Sequence, residues 1–144
     1  MQTHPSNSNE QQEAGIALVN ALSIYLHITL ENKTLELSGC TVQVDGYSDE
    51  PPVMCEAWAH IGKPKGSQPD KVIADAMKLL FCEKRLNKKF RKILLFSDED
   101  AKNFFVGVKW QAAALRENGI ELMTLDISNE ILAKVKNAQE RQRR

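Results

Sequence analysis

The stretch Thr41-Val-Gln-Val-Asp45-Gly-Tyr-Ser-Asp-Glu-Pro-Pro-Val-Met-Cys-Glu56-Ala-Trp-Ala-His60-Ile-Gly-Lys63-Pro-Lys65-Gly-Ser-Gln68-Pro-Asp-Lys71-Val-Ile-Ala-Asp-Ala-Met-Lys78-Leu-Leu80 decides how this chain reads. Thr41 to Tyr47 alternates, with Val42 and Val44 to one side and Gln43 and Asp45 to the other, as in a strand. Gly46 to Pro52 is dense in turn formers and closes a hairpin. Val53 to His60 is a second strand, with Cys55, Ala57, Ala59 and Ile61 on one face and Met54, Glu56, Trp58 and His60 on the other. A short basic loop, Ile61 to Gly66, leads to Ser67, which starts a helix with Asp70 three residues on. That helix runs to about Leu86. Val72, Ile73, Ala76, Met77, Leu79 and Leu80 form its buried stripe, and Lys71, Asp75 and Lys78 lie opposite.

Outward from this stretch the pattern continues. Ser6 or Ser8 caps a helix over about Asn9 to Leu26, in which Ala14, Ala17, Leu18, Leu22 and Tyr25 recur at helical spacing. Thr34 to Leu37 is a short strand ending at Gly39. Ile93 to Phe96 is an apolar strand of the buried type. Ser97 repeats the capping pattern before a helix that breaks near Gly107 and resumes over Trp110 to Asn118. Ile120 to Asp126 is the last strand, and Ser128 or Asn129 caps a final helix. Residues 1 to 7 and 139 to 144 read as loose ends. The order is α-β-β-β-α-β-α-β-α. Early strands suit an antiparallel meander and later ones parallel pairing by crossovers, which gives one mixed α/β sheet flanked by helices in a single domain of 144 residues.

Nineteen basic and nineteen acidic residues cancel, so the whole-molecule field announces no polyanion partner; such a partner would need a local basic surface. Cys40, Cys55 and Cys82 form no paired spacing, which fits a reducing, cytoplasmic compartment. No window reaches the roughly 20 apolar residues of a membrane helix, and the first ten residues carry no leader-like basic and apolar run.

Asp45 and Glu56 lie on strands joined by a tight hairpin. Two carboxylates held together repel and raise a pKa unless a cation lies between them. Hard divalent ions such as Mg²⁺ or Mn²⁺ take such oxygens, and can activate water at a phosphodiester. Glu13 offers a third carboxylate from the first helix. His60 shares the Glu56 face as a base or a phosphate contact. Gly62-Lys63-Pro-Lys65-Gly66, with the helix start behind it, suits a phosphate. The basic run Lys84 to Lys92 is either a backbone-contacting surface or a favourable helix C-terminus. Each of these residues also has a plain structural use: Asp before Gly in a turn, Glu facing solvent, Trp58 in packing. No Gly-x-Ser-x-Gly elbow, Walker motif or dinucleotide fingerprint is present.

The element order, with one acid on the second strand and another on the third, resembles the PD-(D/E)xK (restriction endonuclease-like) nuclease superfamily over about Glu13 to Asp126. The resemblance implies that Asp45 and Glu56 bind the metal, that Glu13 matches an acid some members place on the first helix, and that the partner is nucleic acid, DNA first. A second copy of the chain or a partner protein would complete targeting. The family's lysine position, two residues after the second acid, holds Trp58, and Val44 stands where the family has proline. Some members supply the lysine from the following helix. Lys71 is then the expected substitute, with Lys63 and Lys78 behind it, and Gln68 resembles a glutamine some members place near the site. Two other expectations stand beside this one. One is a non-catalytic module of the same fold, which binds nucleic acid or protein. The other is a small-molecule site near Ser97 to Asp100 at the strand ends.

Overall fold

Strand β3 (Val53–Trp58) sits at the centre of a five-stranded sheet in the order β1-β2-β3-β4-β5, with β1 (Glu31–Leu37), β2 (Cys40–Ser48), β4 (Arg91–Phe96) and β5 (Ile120–Thr124) around it. The computed structural model describes residues 9–142. β1, β2 and β3 pair antiparallel, whereas β3–β4 and β4–β5 pair parallel. The mixed sheet is thus divided as the spacing of the connections requires: tight turns within the meander, helical crossovers after it.

Alternation along β3 separates two cores. Val53, Cys55 and Ala59 join Leu18 and Leu22 of α1 (Asn9–Leu26) and Val135 of α5 (Asn129–Gln142). Met54 and Trp58 join Val72, Ala76 and Leu79 of α2 (Gln68–Leu86) and Ala101 of α3 (Glu99–Asn103). Leu115 of α4 (Trp110–Glu117) completes that second layer. Each Val, Leu or Met side chain buried this way contributes about 1.5–3 kcal/mol. Among the described residues no helix is long and apolar enough to cross a membrane.

Several local expectations change. Tyr25 and Met77, placed on buried stripes by their spacing, are more than half exposed. Ser67 makes no side-chain cap; Gln68 Oε1 instead accepts the Lys65 amide at 2.9 Å. Ser97 is no cap either, and Asp98 at the N-cap sends its carboxylate to the Gly62 amide, 2.7 Å away. Ser128 does cap α5, accepting the Ile131 amide at 3.2 Å. The Ser6 and Ser8 caps lie outside the described residues. Most of the basic run is engaged within the fold. Lys92 is buried against Glu83 at 2.7 Å, Arg91 pairs with Glu121, Lys88 with Asp49, and Arg85 donates to Leu37 O. The end expected to fray is helical to Gln142, and Gln139 accepts from Ile61 N–H at 2.6 Å and donates to Ile61 O at 2.9 Å.

One irregularity shapes the site. The β1–β2 register slips between Glu31/Tyr47 and Lys33/Val44, which sets two residues, Asp45 and Gly46, opposite the single Asn32. This is a bulge, a device that bends a strand and re-aims a side chain. Gly46 is needed there for room: a Cβ would lie 2.5 Å from Cys55 Sγ and 3.0 Å from Val19 Cγ1. Gly46→Ala is expected to cost about 1–3 kcal/mol by overpacking. Chemical denaturation measures this, and an unchanged midpoint would contradict it.

Candidate active site at the split between two strands

β2 and β3 stay paired only from Ser48/Val53 to Gly46/Cys55. Beyond that pair the strands part, and two side chains bridge the gap crosswise. Glu56 Oε2 accepts the Asp45 amide at 2.8 Å, and Asp45 Oδ2 accepts the Ala57 amide at 2.9 Å. Each carboxylate thus satisfies a backbone donor that the lost ladder would leave bare. The bulge at Asp45 and the parting of the strands together put both acids at the same point. A cleft of about 780 Å³ opens here, lined from α1 by Gln11 and Gln12, from the strands by Asp45, Glu56 and Trp58, and from α2 by Lys71, Asp75 and Lys78.

The face of α2 that spacing assigns to solvent is the face turned to this cleft. Lys78 Nζ makes an ion pair with Glu56 Oε1, and Glu56 is only 2% exposed. Asp75, one helical turn before, is half-buried beside them. Burial and the neighbouring Asp45 push the Glu56 carboxyl up to about 9. Burial also pushes Asp75 up to about 6, despite Lys78, with Asp45 adding to the rise. For Lys78, burial works against the charge, but Glu56, Asp75 and Asp45 outweigh it and hold the ammonium above its ordinary value. The two directions oppose one another, since a protonated Glu56 would not hold Lys78 up. What they share is a local excess of negative potential, because three carboxylates surround one closely placed ammonium. Such a cluster takes up a proton or a cation.

His60 stacks on Trp58 with centroids 4.2 Å apart, and Gln11 Nε2 donates to its Nδ1 at 3.1 Å. Burial, with Lys71 adding to it, lowers its pKa to about 4, so the ring is neutral at pH 7. With Nδ1 accepting, the remaining ring proton is on Nε2. Trp58 Nε1 is buried without a hydrogen-bond partner among the described residues.

The structure therefore gathers Asp45, Glu56, His60, Lys71 and Lys78 at one cleft. It does not bring Glu13 there. Glu13 is half exposed, 3.7 Å from Lys134, and lines a separate depression with Lys134, Asn137 and Arg141. Gln11 and Gln12, just before it on the same helix, face the cleft instead. Lys78 rather than Lys71 touches Glu56; Lys71 lies at the exposed rim. Lys63 and Lys65 are exposed outside the cleft lining, and Gln68 is spent on the Lys65 amide. Asp75 and Gln11 are the residues that sequence reasoning passed over. The three-residue step from Asp75 to Lys78 on one helix face was the available signal. The cleft beside Glu56 does not include Ser97 to Asp100 in its lining. Among the described residues no group of three or more His, Cys, Asp or Glu side chains is arranged to hold a metal ion. No protein-family model, curated protein or solved structure matches this chain.

Proposed function

We propose that this protein is a divalent-cation-dependent phosphodiesterase of restriction endonuclease-like architecture, acting on the backbone of nucleic acid. The observation that carries this reading is the crossed Asp45–Glu56 pair at the strand split, with Lys78 seated on Glu56. The donor set suits Mg²⁺ or Mn²⁺. One oxygen of each acid holds a strand amide, which fixes the carboxylates, while Asp45 Oδ1 takes a long 3.4 Å contact from Gln43. Glu56 Oε1 already accepts an ammonium, so it is placed to serve a cation. Two carboxylates, with water and phosphate completing the shell, is how Mg²⁺ is commonly held in phosphate chemistry. Asp45 and Glu56 would hold the ion, with Asp75 adding charge nearby.

Bound there, the ion supplies Lewis-acid charge and an acidified water. The chain's own groups do the rest. Lys78 offers fixed positive charge where negative charge develops on the phosphate oxygens. Lys71 at the rim attracts the approaching backbone. His60, with Nδ1 taken by Gln11, is a donor through Nε2 rather than a base. This replaces the general-base role that its position on the Glu56 face suggested.

A second reading has its own support. Trp58 fills the position of the family lysine, and three of the four carboxylate oxygens of the pair already have close partners. A module that binds without cleaving would look the same. The test is incubation with single- and double-stranded DNA and RNA, with Mg²⁺ or Mn²⁺, alongside calorimetric titration of the cation. Cleavage that needs the ion and is lost in Asp45→Asn supports the enzyme. Absence of ion binding, both with and without an oligonucleotide present, would leave the binding module standing.

A further inference from the structure

The connection between α3 and α4 exposes an apolar stretch that the fold does not use. Val106 and Trp110 are more than half exposed, and Val108 is almost wholly so. Beside them Phe104 packs edge-on against buried Phe105, with centroids 5.0 Å apart. Lys109 Nζ lies 3.7 Å from the centre of the Phe104 ring, and Lys63 Nζ, from the loop after β3, lies 6.0 Å from it. The Asp98–Gly62 hydrogen bond ties the loop after β3 to the start of α3. Lys63, Lys65 and Lys109 make no ion pair with a described carboxylate, whereas Lys102 on α3 pairs with Glu99.

We propose that this surface is a platform for single-stranded nucleic acid, with unpaired bases stacking on Trp110 and the sugar–phosphate chain running along Lys63, Lys65 and Lys109. Three uncompensated ammonium groups call for a polyanion. An exposed indole next in sequence to Lys109 calls for a flat π face, which an unpaired base offers and a base inside a duplex does not. Lys63 stands three residues after His60, which lines the cleft, so only a short stretch of chain separates the platform from the Asp45–Glu56 split. As a statement of substrate, the proposal rests on the phosphodiesterase reading; as a statement of binding, it stands on this surface alone.

The chain has two tryptophans, and only Trp110 is exposed, Trp58 being 7% accessible. Titration with a short oligothymidylate, in chelator and without any divalent cation, should quench the emission of Trp110. Trp110→Ala should weaken binding about tenfold or more, the usual worth of one stacked base. Its thermal midpoint should not move. Replacing Lys63, Lys65 and Lys109 together by alanine should flatten the dependence of affinity on salt. Three results would overturn the proposal: no quenching, equal affinity for a duplex of the same length, or a blue shift on anionic phospholipid vesicles with no response to the oligonucleotide. Since nothing is cleaved in this experiment, its failure leaves the phosphodiesterase reading intact. Binding by a chain that never cleaves leaves the platform intact.

Discussion

Lys78→Ala is expected to bind a divalent cation more tightly than the wild type and yet to cleave far more slowly. The ammonium and the ion compete for Glu56 Oε1, so removing the ammonium relieves a like-charge repulsion. A gain of roughly tenfold in affinity, about 1.4 kcal/mol, is the expected scale. Turnover should fall by roughly 100- to 1,000-fold, the usual cost of one fixed group that stabilises transition-state charge. Lys71→Ala, at the exposed rim, should lose much less. Calorimetry and a cleavage assay read the two effects separately. Stability should drop only modestly, because Glu56, whose carboxyl is already pushed up, holds its proton to still higher pH once its partner is gone. If Lys71→Ala is the variant that loses turnover and Lys78→Ala is not, the first-ranked lysine of the sequence reading holds the role and the contact with Glu56 is only structural.

Glu56→Gln should abolish cation binding and also change how stability depends on pH. The sign follows from the direction of the shift. The folded-state value of Glu56, about 9, lies above its ordinary 4.5, so the folded protein holds this proton more tightly than the unfolded chain does. Its contribution is complete below pH 4.5 and is lost as pH rises toward 9. Asp75 acts in the same sense, but only between 3.8 and about 6. His60 acts in the opposite sense, between about 4 and 6.5, since its folded value is lowered. From pH 6.5 to about 8, below the range where the buried Cys55 and Cys82 thiols, both pushed up from 9, add to the fall, the Glu56 effect is the one exposed. The wild-type melting temperature should fall across that window, and Mg²⁺ or Mn²⁺ should restore part of the loss. In Glu56→Gln the fall should disappear and the ion should have no effect. A wild-type curve that is flat over this window would mean that Lys78 already neutralises the cluster.

The sheet was legible because hydrophobic period and turn chemistry agree along most of the chain. Alternation at Val53 to His60 named both faces of β3 correctly, and the apolar run at Ile93 to Phe96 marked the buried centre. The site was legible only in part, for three physical reasons. Asp45 sits in a bulge, and simple alternation cannot report a residue that a bulge has turned. On α2, spacing identified one polar face and assigned it to water, whereas a cleft accepts that face equally well. This is why Lys78 and Asp75 were undervalued while Lys71 was favoured. On α1, the nearest acid was taken for the functional position, but the helix turns Glu13 toward Lys134 and presents Gln11 and Gln12 instead. Ser67 and Ser97 failed as caps for a related reason: Gln68 and Asp98 found loop amides to serve, and a sequence pattern does not show what lies beside a helix start in space.

The last helix has a consequence for how the molecule matures. Gln139 holds both backbone groups of Ile61, Arg141 pairs with Glu10 at 2.9 Å, and Lys134 lies near Glu13. These contacts join positions more than a hundred residues apart in the case of Glu10 and Arg141, so they form only after α5 has been made. The sheet can assemble earlier, since its neighbours in space are neighbours in sequence. Gln11, and with it the setting of His60, rides on α1, whose outer side α5 must grip. During synthesis a growing chain would therefore carry a nearly complete sheet with an unfinished cleft, and competence would arrive with the final turns of α5.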